Sequence, residues 1–151
     1  MLLCMLILPS VSHSQTNQAV ADEIISIVKA QWAAEIADPS NTAAIFKDFA
    51  DEYTEFNSDF STRLEGKAIS MRLSEPLGKD PNRVAAGEML NPKVQVYGDV
   101  AILSYNFAGV IKNKDGETKA SRAKSTRVYA KQGGKWKMVH ANFAPDPLPH
   151  Y

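Results

Sequence analysis

The sequence predicts an α+β fold, with helical segments first and a meander of long antiparallel strands after them. Three observations carry this. Apolar residues recur at helical spacing from Val20 to Ile36. From Val84 onward the pattern changes to strand-like alternation. Two glycine turns, Asp115-Gly116 and Gly133-Gly134, then divide the last third into hairpin-connected strands. Helices followed by a run of strands is the order of an α+β domain. With 151 residues there is room for one domain, large enough to bury about 70% of its unfolded surface.

The first fourteen residues stand apart. Leu2 to Leu8 is an unbroken apolar run, Pro9 breaks it, and Ser12-His13-Ser14 offers small residues at cleavage offsets. This reads as a secretory signal over 1–14, which predicts a secreted or periplasmic chain and no membrane attachment after cleavage. The run is too short to span a bilayer as a helix. The one cysteine, Cys4, lies inside it. The mature chain then has no thiol for a disulfide, a nucleophile or a metal site.

Val20, Ile24, Ile25, Val28, Trp32 and Ile36 fall on one face of the first helix, with Asp22 and Glu23 placed in its first turn. Asp38-Pro39 ends it, because a residue before proline is pushed out of the helical region. Burying that face contributes on the order of 10 kcal/mol as an upper bound, so the helix must pack on something large. Ser40 or Asn41 can cap a short second helix carrying Ile45, Phe46 and Phe49. Tyr53 to Asn57 alternates like a strand, and 66–74 reads as a third helix with Ile69 and Leu73 inward. Pro76, Gly78 and Pro81 make a loop.

Asn91-Pro92 interrupts the next strand, which implies a bulge or an edge position. Val94–Tyr97 resumes it and Gly98-Asp99 turns. Long strands follow over 100–112, 117–131 and 135–144. Pro145, Pro147 and Pro149 exclude the tail, 146–151, from a sheet. A strongly curved sheet wrapped around the first helix would enclose a cone-shaped cavity. Alternation on the last strand puts Trp136, Met138, His140 and Asn142 on one face and Val139, Ala141 and Phe143 on the other.

Charge is balanced overall, 17 basic against 17 acidic residues, but uneven along the chain. Nine acids face two lysines between Asp22 and Asp59; nine basic residues face two acids between Lys112 and Lys137. This suits two solvated faces, or a subunit contact that salt would weaken. Zero net charge and the absence of stacked aromatics argue against nucleic acid. No phosphate-binding glycine loop, nucleophile elbow or zinc helix occurs, and no cofactor is implied.

Asn91-Pro92, Tyr97-Gly98-Asp99, Thr126-Arg127-Val128-Tyr129 and Gly134-Lys135-Trp136-Lys137-Met138-Val139-His140 resemble the association (hub) domain of calcium/calmodulin-dependent protein kinase II. More broadly they resemble the SnoaL-like bacterial members of the nuclear transport factor 2-like superfamily. The resemblance covers 19–145 and includes no kinase segment. It implies a cone of three helices on a curved, mostly antiparallel sheet. It also implies pairing through the outer sheet face into a homodimer or larger ring. The superfold hosts isomerases, cyclases, dehydratases and assembly modules alike, so function must be argued from a site.

The hub family's cavity arginines fall by position on Phe107, Arg127 and Phe143, so Arg127 alone remains. The catalytic Asp of steroid-isomerase relatives falls nearest Asn57, which cannot act as a base. The implied site is an aromatic pocket of Trp32, Tyr53, Tyr105, Phe107, Tyr129 and Phe143 around Arg127. A buried guanidinium needs a partner. Glu55 or Glu35 could supply it, or a small apolar carboxylate could dock there bidentately. His140 and, if inward, Glu55 are the catalytic candidates for an alternative isomerase, cyclase or dehydratase. His140 lacks the companions of a metal ligand and also suits a structural hydrogen bond. Asp48, Asp51, Glu52, Glu55 and Asp59 suit a solvated acidic edge. A third reading has the cavity filled by side chains.

Overall fold

The computed structural model describes residues 13–80 and 82–146. Most of the expected signal segment, and Pro147 and Pro149 of the tail, lie outside them. The first helix, α1 (His13–Ala37), starts two turns earlier than Asp22 and Glu23 suggested, and no acid occupies its first turn. Asp38-Pro39 does end it, and the Asp38 side chain then accepts from the Ser40 backbone and hydroxyl. Asn41 caps α2 (Thr42–Ile45) by accepting from the Ala44 N–H at 3.1 Å. Phe49 is not helical; it opens β1 (Phe49–Asn57). A two-residue strand, β2 (Leu64–Glu65), precedes α3 (Lys67–Ser74). On α3 the expected inward face is wrong: Ser70 is buried and Met71 packs on the core, while Ile69 and Leu73 are exposed. Leu73 follows Ile69 by one helical turn, so the two stay together on the solvent side.

Four long strands complete the domain: β3 (Arg83–Tyr97), β4 (Val100–Lys112), β5 (Thr118–Gln132) and β6 (Lys135–Pro145). The sheet order is β2-β1-β6-β5-β4-β3, antiparallel throughout except for the β1–β6 pair. Pro92 sits in the edge strand β3, inside a bulge where Asn91 and Pro92 together oppose Tyr105. Asn91 adopts a φ of 50° there, so the missing proline N–H interrupts the ladder at its outer margin. Pro145, expected outside the sheet, pairs with Ala123 as the last residue of β6, a strand end where no further ladder bond is required of it.

One bulge changes which side chains meet. On β6, His140 pairs with Val128 and Met138 with Tyr129, so Val139 is the extra residue. Strict alternation therefore fails at Val139. Trp136 and Met138 share the core face with Ala141 and Phe143, while His140 and Asn142 fall on the other side. α1 crosses the inner face of the sheet, packing chiefly on β3 and also on α2 and β4. Ile24 and Val28 are fully buried there with Tyr53, Leu103, Tyr129 and Met138. The outer face carries no helix of the described residues.

Candidate functional site

The inner face is organised in rows across the strands. One row runs Glu55, Ala141, Arg127, Leu103, Val94; the next runs Asn57, Phe143, Ser125, Tyr105. Alternation from the buried Tyr53, Leu103 and Tyr129 turns every one of these side chains inward. Trp32 on α1 covers the second row, its ring 5.7 Å from that of Tyr105 and 5.3 Å from that of Phe107, both edge-on. The expected aromatic set is thus assembled, with Tyr53, Tyr105 and Tyr129 buried and Trp32, Phe107 and Phe143 half-buried.

Arg127 is 2% exposed. Its Nη1 donates to Gln31 Oε1 at 2.6 Å and lies 3.9 Å from Met138 Sδ. The guanidinium carbon stands 5.7 Å from the Tyr105 ring centre and 5.3 Å from that of Phe143, within cation–π range. Burial opposes its charge, but the hydroxyl-bearing rings of Tyr105, Tyr129 and Tyr53 hold its pKa above the ordinary value. Among the described residues no carboxylate lies within 4.0 Å of it, and Nε has no hydrogen-bond partner. The Ser125 hydroxyl, two residues away on the same face, is also buried without one.

Neither expected counter-charge pairs with Arg127. Glu55 is inward, but its oxygens accept from Tyr53 Oη at 2.7 Å and Asn57 Nδ2 at 2.9 Å. Burial, and then the Glu55 charge, push the Tyr53 hydroxyl far up. Glu35, one turn beyond Gln31 on α1, is half-buried; burial raises its pKa while Arg127 opposes the rise. The folded chain thus keeps a proton on Glu35 to higher pH than the unfolded chain does. Its contribution is present in acid and is lost as pH rises above the usual carboxylate range. Glu35→Gln is expected to raise the Tm more at pH 7 than at pH 4. An equal gain at both values would show that Glu35 titrates as if exposed.

His140 is not brought to Arg127. It lies on the outer face, where its Nδ1 meets Thr54 Oγ1 at 2.9 Å and its ring meets Phe56 edge-on at 6.0 Å. Of the acidic edge, Asp51, Glu52 and Asp59 are exposed and Asp48 lies 3.6 Å from Lys137. The described residues contain no group of three His, Cys, Asp or Glu able to hold a metal ion.

Around Arg127 the rings close tightly. A void of about 10 Å³ reaches its two contacts Gln31 and Met138 from the Lys47-Asp48 side, the space of about one water. A larger groove of about 390 Å³ lies over Ser104, Asn106, Lys124, Thr126 and Asn142 on the outer face. Gln31, the acceptor that meets Arg127, is not singled out by the sequence pattern. Only its place on the packing face was legible, since Gln31 follows the buried Val28 by three residues.

Residues 21–147 match the calcium/calmodulin dependent protein kinase II association domain family. The chain is 27% identical over 143 residues to the calcium/calmodulin-dependent protein kinase type II of Caenorhabditis briggsae. That match takes in 89% of this chain and 26% of the kinase, so the chain spans about a quarter of its relative's length. Among solved structures, the association domain of the Caenorhabditis elegans kinase aligns with TM-score 0.70 at 22% identity, covering 85% of this chain and 98% of that one. The Chlamydomonas reinhardtii hub homology domain aligns with TM-score 0.70 at 21% identity, covering 85% and 99%. A nuclear transport factor 2-like superfamily protein of Salmonella enterica serovar Typhimurium aligns with TM-score 0.72 at 17% identity, covering 88% and 95%. At these identities the likeness shows the fold.

Proposed function

The chain belongs to the calcium/calmodulin dependent protein kinase II association domain family, and from that premise we propose that it is a self-association module with a small-molecule site at Arg127. The names of its relatives, association domain and hub, describe assembly, and one observation here supports it most. The outer face of β3–β6 carries exposed Leu90, Tyr97, Val100 and Val110, with Phe56 of β1 beyond them. Ile102 and Val128 lie half-buried in its middle. Strands of 13 and 15 residues make this face roughly 40 Å long and 15–20 Å wide. That approaches the ~800 Å² per partner of a stable interface. Val128→Glu places a carboxylate at the centre of the face without touching the core. Sedimentation is expected to give a multiple of the chain mass for the parent and the single-chain mass for the variant, with matching circular dichroism. A parent that sediments as one chain at tens of micromolar would end the proposal.

The ligand part rests on Arg127 itself, a buried guanidinium whose Nε has no hydrogen-bond partner and which meets neutral groups, Gln31 and Tyr129, but no carboxylate within 4.0 Å among the described residues. A carboxylate-bearing apolar molecule supplies the missing charge-assisted bonds, with Tyr105, Phe107 and Phe143 against its body. Arg127→Ala then abolishes the thermal-shift response to small aliphatic carboxylates; an unchanged response sinks the assignment. The isomerase alternative calls for an acid and a base at one open point. Here His140 faces outward and the Tyr53–Glu55 pair includes a fully buried tyrosine. The apolar run 2–8 further supports export, which the mass of the chain recovered from a periplasmic extract tests.

A further inference from the structure

One histidine sits in the middle of the outer face, and the Val139 bulge is what puts it there. Strict alternation on β6 would turn His140 into the core beside Met138; the extra residue carries it outward, as bulges commonly re-aim a side chain. Its row across the sheet reads Glu65, Thr54, His140, Val128, Ile102, Gln95, one residue from each strand. His140 and Val128 are direct cross-strand partners and both are half-buried. With strands about 4.8 Å apart, the imidazole lies against the apolar centre of the face. On its other side Nδ1 meets Thr54 Oγ1 at 2.9 Å, and the Phe56 ring meets it edge-on.

The charged groups around the imidazole offer it no counter-ion. No carboxylate lies within 4.0 Å of it among the described residues. Glu65 of β2, two strands away, is paired with Arg63, and Glu52 of β1 accepts from Gln132. On its own strand Lys137 reaches Asp48 and the Lys47 carbonyl. On β5 Lys124 is paired with Asp146. β4 sets only Ile102 and Ser104 beside the row, and β3 adds a cation, Lys93, one row further on.

Resting on the reading of this face as the self-association surface, we infer that His140 is a pH switch for assembly: the neutral imidazole is covered by a second copy, and its protonation releases that copy. An imidazole takes up a proton between about pH 7 and pH 5. The neutral ring packs with Val128 and Phe56 as apolar surface, with one nitrogen already bonded to Thr54. The protonated ring is a cation that a second copy has to desolvate without a counter-charge, which is costly. Two-fold pairing doubles the effect, since each contact brings two copies of the same residue to the interface. The sign follows from linkage. The separated chain binds the protons that the assembled one excludes, so assembly is complete where imidazole is neutral and is lost as pH falls.

The test is sedimentation of the whole chain over a concentration series at pH 7.5 and pH 5.5, at equal ionic strength. The parent is expected to dissociate about tenfold or more readily at the lower pH, with unchanged circular dichroism. His140→Gln keeps a hydrogen-bonding partner for Thr54 and takes up no proton. It is expected to assemble equally at both values, although His150 still titrates in it. His140→Lys fixes the charge and is expected to sediment as one chain at both. A parent that assembles equally well at both values overturns the switch and leaves the association surface standing, and so does a pH response that survives His140→Gln. His140→Lys assembling like the parent at pH 7.5 overturns it too. A parent that sediments as one chain at both values overturns both readings.

Discussion

Replacing Gln31 with leucine is expected to destabilise the fold by about 1.5–3 kcal/mol, the range for a lost hydrogen bond to a charged group. In a domain of this size that lowers the Tm by roughly 10 °C. The size follows from what remains behind. Gln31 Oε1 accepts from the buried Arg127 guanidinium at 2.6 Å, beside the Tyr129 hydroxyl, and leucine fills its volume without accepting anything. The charge then stays buried with a sulfur contact and two ring faces. Adding Arg127→Met removes the charge that needed solvating and keeps a long apolar side chain against Tyr105 and Phe143. The double variant is therefore expected to recover most of the loss, because an isolated buried charge costs more than a well-packed apolar replacement. Urea denaturation of the four chains in the cycle measures the coupling. Additive losses, or a Gln31→Leu cost below about 0.5 kcal/mol, would mean that water already reaches the guanidinium.

That a side chain so placed was invisible beside the plainly legible strands has a physical reason. Turn chemistry is local: Gly98, Gly116, Gly133 and Gly134 all take positive φ, and each marks a strand end that the sequence also marks. The Pro92 bulge is local too, since a missing N–H has the same consequence in any ladder. Partnerships across the cone are not local. Gln31 and Arg127 are 96 positions apart, and nothing near either residue names the other. The Val139 bulge is the instructive case. It arises where β6 must match β5 on one side and the parallel β1 on the other. Strict alternation grouped His140 with Trp136 and Met138, and that one extra residue carries it to the outer face instead. The arginine was legible because alternation sets it with Ser125 and Tyr129 and the family resemblance turns that face inward, whereas its environment depended on register.

Gly109→Ala is the second large effect expected, and its sign depends on one aromatic ring. Gly109 and Gly87 are cross-strand partners on β4 and β3, and neither has a positive φ. Backbone conformation alone would therefore favour alanine, by about 0.4–1 kcal/mol. The Phe107 ring reverses this. It lies across both glycines, so a Cβ on Gly109 would meet its Cζ at 2.4 Å and a Cβ on Gly87 its Cε2 at 2.7 Å. The Ala86 carbonyl at 3.0 Å closes the other side, so the new methyl cannot be absorbed by the strand. The ring must leave, and with it goes the edge-on contact to Trp32 that covers the Arg127 row. Overpacking of this kind costs about 1–3 kcal/mol, and we expect the upper part of that range. In a Phe107→Ala background the same change is expected to cost much less, since only the tight contact with the Ala86 carbonyl remains. Thermal melts of the two pairs decide it: a Gly109→Ala cost undiminished by the loss of Phe107 would place the constraint in the backbone. A cost that falls by most of its size makes the glycine pair the seat that holds the ring, and with it the cover, over Arg127.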